Sequence, residues 1–160
     1  MHKRWFVALV LCGVVPAFGQ TLLAIGPNGT ASESCGDGGG WAVDLEFPIL
    51  GNTAGRGPLA DRELFIKLNG ASLAQIAGRW TTTDERRRLR ADVAPKGGWP
   101  HVFATRGSIT ITRITDTLVE GNWNLTFEDL SVQERVEGAF KASIRRWTDI
   151  VKPGTRVICQ

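Results

Sequence analysis

The sequence predicts an all-β fold: an antiparallel sandwich or small barrel of about seven to eight strands, one disulfide, and at most a short helical turn. Three observations carry this expectation. The last third of the chain holds three successive stretches in which apolar and polar residues alternate, the period of half-buried strands. Clusters of Gly, Pro and Asn punctuate the chain at short intervals and leave little room for long helices. Two cysteines, Cys35 and Cys159, stand near opposite ends of the segment that remains once an N-terminal leader is removed.

That leader is residues 1–19. Met1 is followed by His2, Lys3 and Arg4, then by an apolar run from Trp5 to Val15, then by Pro16, Ala17, Phe18 and Gly19. A basic start, a short apolar stretch and small residues at the cleavage positions make a secretory signal peptide, with cleavage expected before Gln20. The run is shorter than the roughly 20 residues needed to cross a bilayer, so no stable membrane anchor is expected. Cys12 lies inside the leader behind the bulky Leu11, which makes a poor lipoprotein acylation site. The expected location is therefore periplasmic or extracellular.

Removal of the leader changes the composition. The 19 Lys and Arg residues against 16 Asp and Glu of the whole chain become 17 against 16 when Lys3 and Arg4 leave, a balance of +1. Such a near-neutral domain is poorly suited to general nucleic-acid binding, which rests on neutralising several phosphates at once. The odd set of three cysteines becomes the pair Cys35 and Cys159. In an oxidising compartment these are expected to form a disulfide, contributing roughly 4 kcal/mol by restricting the unfolded chain. The remaining length fits one domain that buries roughly two thirds of its unfolded surface.

In chain order, a short apolar opening at Thr21 to Ile25 precedes Gly26 to Gly40, which is rich in Gly, Ser and Asn and reads as a long loop. Residues 20–40 are thus a Gly-rich N-terminal segment ahead of a single β domain at 41–160. From Trp41, Val43, Leu45 and Phe47 alternate with Asp44 and Glu46 as a strand that Pro48 and Gly51 are expected to end or confine to an edge. Gly51 to Asp61 is another glycine-rich connection. Glu63 to Leu68 is a strand closed by the turn dipeptide Asn69-Gly70. From Ala71 to Ala77 a helical turn with Ser72 as cap competes with the return arm of a hairpin. Thr81 to Val93 reads as a strand with Arg86, Arg88 and Arg90 on one face and Arg87, Leu89 and Ala91 on the other. Pro95 to Pro100 breaks the chain. The meander follows at Gly107 to Thr115, Leu118 to Phe127 and Glu134 to Trp147, with a last strand near Thr155 to Cys159.

Within the meander, Gly107-Ser-Ile-Thr-Ile-Thr, Gly121-Asn-Trp-Asn-Leu-Thr-Phe and Val136-Glu-Gly-Ala-Phe-Lys-Ala142 resemble a pattern found in small, mostly uncharacterised bacterial exported proteins and lipoproteins. Those proteins carry successive Gly-x-Val-Thr-Leu-Thr, Gly-x-Phe-x-Leu-x-Phe and Val-x-Gly-x-Phe-x-Ala strands near the C-terminus. The resemblance implies a β architecture and export. It carries no active site, because the shared residues are strand-patterned.

Candidate chemistry is sparse. His101 is the one histidine outside the leader, so one subunit cannot assemble a two-histidine metal site, and no cofactor is expected. No Gly-x-Ser-x-Gly elbow occurs, and His101 reads as a loop or packing residue. Asp44 and Glu46 stand two residues apart on one strand face. That is about 7 Å, close to separations used in glycoside hydrolysis, but the favoured reading is a solvent-facing strand edge, where two acids so spaced are common.

The charged constellation that reads as a site is Arg86, Arg88 and Arg90. Guanidinium groups in line can fork onto carboxylate, phosphate or sulfate, as in an anionic glycan or an acidic exported protein. The competing reading is a solvated face paired with Asp84, Glu85 or Asp92, or across strands with Asp44 and Glu46. Trp99, between Gly98 and Pro100, is the tryptophan expected on a loop, where its ring can stack on a sugar. The leading expectation is a noncatalytic exported domain that binds a surface polymer or another exported protein, as an inhibitor or immunity factor does. A structural envelope protein and an apolar-ligand carrier are the alternatives.

Overall fold

A computed structural model describes residues 20–26, 28–36, 39–52, 62–95, 101–129, 132–146 and 159. The expected signal peptide, Trp99 and nearly all of the expected last strand lie outside them. The described strands are β1 (Gln20–Ile25), β2 (Asn28–Cys35), β3 (Trp41–Asn52), β4 (Arg62–Asn69), β5 (Gly78–Thr81), β6 (Leu89–Pro95), β7 (Val102–Ile114), β8 (Leu118–Asp129) and β9 (Val132–Arg145).

Seven of them form a closed ring in chain order: β2, β3, β4, β6, β7, β8 and β9. Each consecutive pair is antiparallel, while β2 and β9 close the ring in parallel, from Asn28 opposite Lys141 to Ser32 opposite Arg145. An odd ring of alternating strand directions must contain one parallel pair, and here the first strand meets the last. The remaining strands extend two positions of that ring. Strand β1 pairs with β3 and β9 in the same senses as β2, on the far side of a break after Gly26. Strand β5 lies against Ser108 to Ile111 of β7, whereas β6 meets β7 at Val102 and Phe103. Closure decides for a barrel over a sandwich and leaves the ring without a free edge.

The interior is filled. Val43, Leu45, Phe47 and Ile49 of β3, Leu64, Ile66 and Leu68 of β4, and Leu125 and Phe127 of β8 are all buried in one cluster. Phe47 meets Trp123 edge-on at 4.6 Å although β3 and β8 are not neighbours in the ring, so these rings reach across the lumen. Phe140 of β9 completes the group, stacked on Trp123 at 4.7 Å. A Cβ at Gly121 would sit 2.7 Å from the Phe140 ring, and one at Gly29 would sit 2.3 Å from Phe47. Those glycines supply the room for the aromatic cluster. Outward positions such as Lys67, Arg90, Asn122, Asn124 and Lys141 are polar, the reverse of a lipid-facing barrel.

Several expectations hold: Asn69-Gly70 turns the chain with Gly70 at a φ of +81°, where a side chain would be strained. The helical turn after it is a single 3-10 turn, Leu73–Gln75, with the Ser72 N–H donated to Gln75 Oε1 at 3.1 Å.

Three expectations are corrected. Gly26 to Gly40 is not one long loop, because β2 occupies Asn28–Cys35; its inward positions Gly29 and Ala31 are buried but too small to give an apolar period. Pro48 does not end β3. Its carbonyl accepts the Gly26 N–H at 2.8 Å, so its missing donor faces the break between β1 and β2, outside the described ladders of both with β3. Thr81 to Val93 is not one strand either: β5 stops at Thr81 and β6 starts at Leu89.

Candidate binding site

The break between β5 and β6 is built by Asp84. Its Oδ1 accepts the backbone N–H groups of Arg86 at 2.8 Å and Arg87 at 3.1 Å, while its own N–H is donated to Thr81 Oγ1 at 3.0 Å. Backbone donors that a strand would place in the ladder go to a side chain instead, which turns the chain. These two N–H groups, and then the neighbouring guanidinium charges, hold the Asp84 carboxyl below its ordinary range.

The arginine row is therefore not one face of a strand, which corrects the expectation. The turn nevertheless gathers the same three residues. Arg86 in the turn, Arg88 at an isolated bridge to Thr81, and Arg90 in β6 are all exposed and line one groove of about 700 Å³. Arg86 and Arg88 form no ion pair with a described carboxylate. The Arg90 guanidinium lies over the Phe103 ring, 4.7 Å from its centroid. Arg87 has a different use: it covers Trp80 at 5.5 Å and donates to the Ala77 carbonyl at 2.8 Å, tying the turn to β5.

Of the acids proposed as partners for this row, Asp84 holds the turn itself, Glu85 lines the same groove, and two are engaged elsewhere. Asp44 lies 3.7 Å from Lys67, and Asp92 bonds to His101 Nδ1. These groups, with Glu46 and Arg90, line a pocket of about 280 Å³ on the outer face of β3, β4 and β6. Burial, then the Glu63 and Asp44 charges, pushes the Glu46 carboxyl above its ordinary range. No described Ser, Thr or Cys lines this pocket. His101, read from sequence as a loop or packing residue, also stacks on Phe103 with centroids 6.2 Å apart. Phe103 thus sits between Arg90 and His101, a placement no sequence spacing signals.

Cys35 and Cys159 are joined in a disulfide, with Cα atoms 5.1 Å apart. Among the described residues, no group of three or more His, Cys, Asp or Glu is placed to hold a metal ion. No family model, curated protein or solved structure matches this chain.

Proposed function

We propose that this is an exported, noncatalytic binding domain whose arginine groove takes an anionic partner, either an acidic glycan or the acidic face of another exported protein. The observation that carries the reading is the gathering of Arg86, Arg88 and Arg90 in one groove, with Arg86 and Arg88 unpaired to any described carboxylate. Guanidinium groups held on a rigid frame bind carboxylate, sulfate or phosphate with two parallel hydrogen bonds each. The closed barrel supplies that frame. Its aromatic-filled lumen supports recognition on the outside over internal carriage of an apolar ligand.

The disulfide fits an oxidising compartment, in keeping with the leader-like residues 1–19 and with the resemblance of the β7 to β9 segment to bacterial exported proteins. The test is capture of partners from envelope and extracellular extracts by the mature domain, alongside binding to immobilised acidic polysaccharide. Arg88→Glu is expected to abolish capture of the partner that the native domain retains. Equal capture by both proteins would remove the groove from consideration.

A further inference from the structure

The structure assigns a second anion-binding pocket next to the arginine groove, and from the pair we infer that the partner is a linear, hydroxylated polyanion, an acidic polysaccharide long enough to occupy both. This rests on the reading of the groove given above.

The second pocket, of about 510 Å³, crosses β5, β7, β8 and β9 and contains Arg79, Arg106 and Arg135. It is built by register. Arg106 stands opposite Thr126, and Thr126 opposite Arg135, so two arginines flank one threonine across three adjacent strands. Two strand spacings separate their backbones by about 10 Å, a span over which both guanidinium groups can converge on one anionic group. No described carboxylate lines the pocket. Arg106 and Arg135 do have acidic neighbours, Glu128 at 3.6 Å and Glu137 at 3.0 Å, but these carboxylates are 49% and 50% exposed. Ion pairs so open to water are weak and exchange readily for an incoming anion.

Thr82 lines both pockets, so the turn after β5 borders each of them and sets them next to one another. The remaining walls favour a sugar polymer over a protein surface. The second pocket is otherwise hydroxyl and amide in character, with Thr81, Ser108, Asn124 and Gln133 suited to exchanging hydrogen bonds with a polyol. Among the described residues, of the large exposed apolar side chains Leu22, Trp41, Leu50 and Phe103 only Phe103 lines either pocket. Protein interfaces centre on clustered Trp, Tyr and Arg anchors; a single ring beside a guanidinium, amid hydroxyl and amide walls, suits the face of a sugar.

The experiment uses the mature domain with a sulfated tetrasaccharide and a long chain of the same repeat, measured by calorimetry. The native domain is expected to bind two tetrasaccharides but one long chain, the long chain about 100-fold more tightly because its second contact is intramolecular. Arg79→Glu with Arg106→Glu, both exposed positions, is expected to reduce tetrasaccharide stoichiometry to one and to remove the long-chain advantage. Arg88→Glu is expected to abolish the other site. A long chain bound no more tightly than the tetrasaccharide, or a double variant that leaves its affinity unchanged, overturns the two-pocket inference while leaving the groove in place. If Arg88→Glu affects neither ligand, the groove reading itself falls. Competition by duplex DNA of equal charge as effective as the glycan, or binding of acidic proteins alone, overturns the assignment to a hydroxylated polymer.

Discussion

The guanidinium of Arg90 lies over the ring of Phe103 at 4.7 Å, joining β6 to β7 on the outside of the barrel. Phe103 is 42% exposed, so the contact adds little to the core and instead fixes where one positive charge of the groove points. Exposed cation–π contacts are worth about 0.5–1 kcal/mol. Phe103→Leu is therefore expected to weaken binding of an acidic oligosaccharide about two- to fivefold. The thermal midpoint should barely move. A large loss of stability with no change in affinity would mean that the ring serves the fold rather than the groove.

The turn that brings Arg86 and Arg88 to the groove depends on the Asp84 carboxylate. Its value is lowered, so its contribution is present above the ordinary carboxylate range and is lost as pH falls through the lowered value. Hydrogen exchange at the Arg86 and Arg87 amides should show this. Both amides are expected to be protected at neutral pH, to lose protection in acid, and to be unprotected at every pH in Asp84→Ala. Protection that survives the substitution would assign the turn to other contacts.

Glu46 gives the opposite pH dependence. Burial and the Glu63 and Asp44 charges raise its value, so the protonated form is the better fit to the folded state. That advantage is present below the ordinary carboxylate range and is lost as pH rises through the raised value. Glu46→Gln is expected to raise the thermal midpoint modestly at pH 7 and to leave it unchanged in strong acid. A lower midpoint at pH 7 would show that the ionised carboxylate is needed.

Gly121 tests the interior. A Cβ there would lie 2.4 Å from the Thr110 carbonyl and 2.7 Å from the Phe140 ring, so Gly121→Ala forces one of them to move. Overpacking of this kind costs about 1–3 kcal/mol, measurable by chemical denaturation. A neutral substitution would show that the lumen has slack. The same glycines explain what the sequence made legible. Strands β8 and β9 are readable because Trp123, Leu125, Val136 and Phe140 alternate with polar residues, and the two pair with each other as the expected meander requires. Strand β2 is hidden because the room taken by Phe47 is left by Gly29, and its other inward residue, Ala31, is too small to give an apolar period. The beginning of β7 was obscured by the irregular register between Ala104 and Arg106, which interrupts the alternation.

The arginines of the groove were identifiable by type and spacing, but the spacing pointed to a strand where Asp84 makes a turn. Nothing local could have joined Arg79, Arg106 and Arg135. They are neighbours only because β5, β7, β8 and β9 lie side by side. A site spread over a sheet becomes visible once register is known.

The Cys35–Cys159 bond closes a sequence separation of 124 residues. By loop-closure entropy, such a crosslink stabilises the fold by about 4–5 kcal/mol, acting on the unfolded chain. The hydrogen-bonded ring does not depend on it, because β2 and β9 close the barrel through their own backbone pairing. Cys35→Ser with Cys159→Ser is therefore expected to retain the native far-ultraviolet spectrum and binding at neutral pH, with a large drop in the denaturant midpoint. The drop should match that of the native domain after reduction. An unfolded double variant would show instead that the parallel seam between the first and last ring strands cannot hold without the covalent clip beside it.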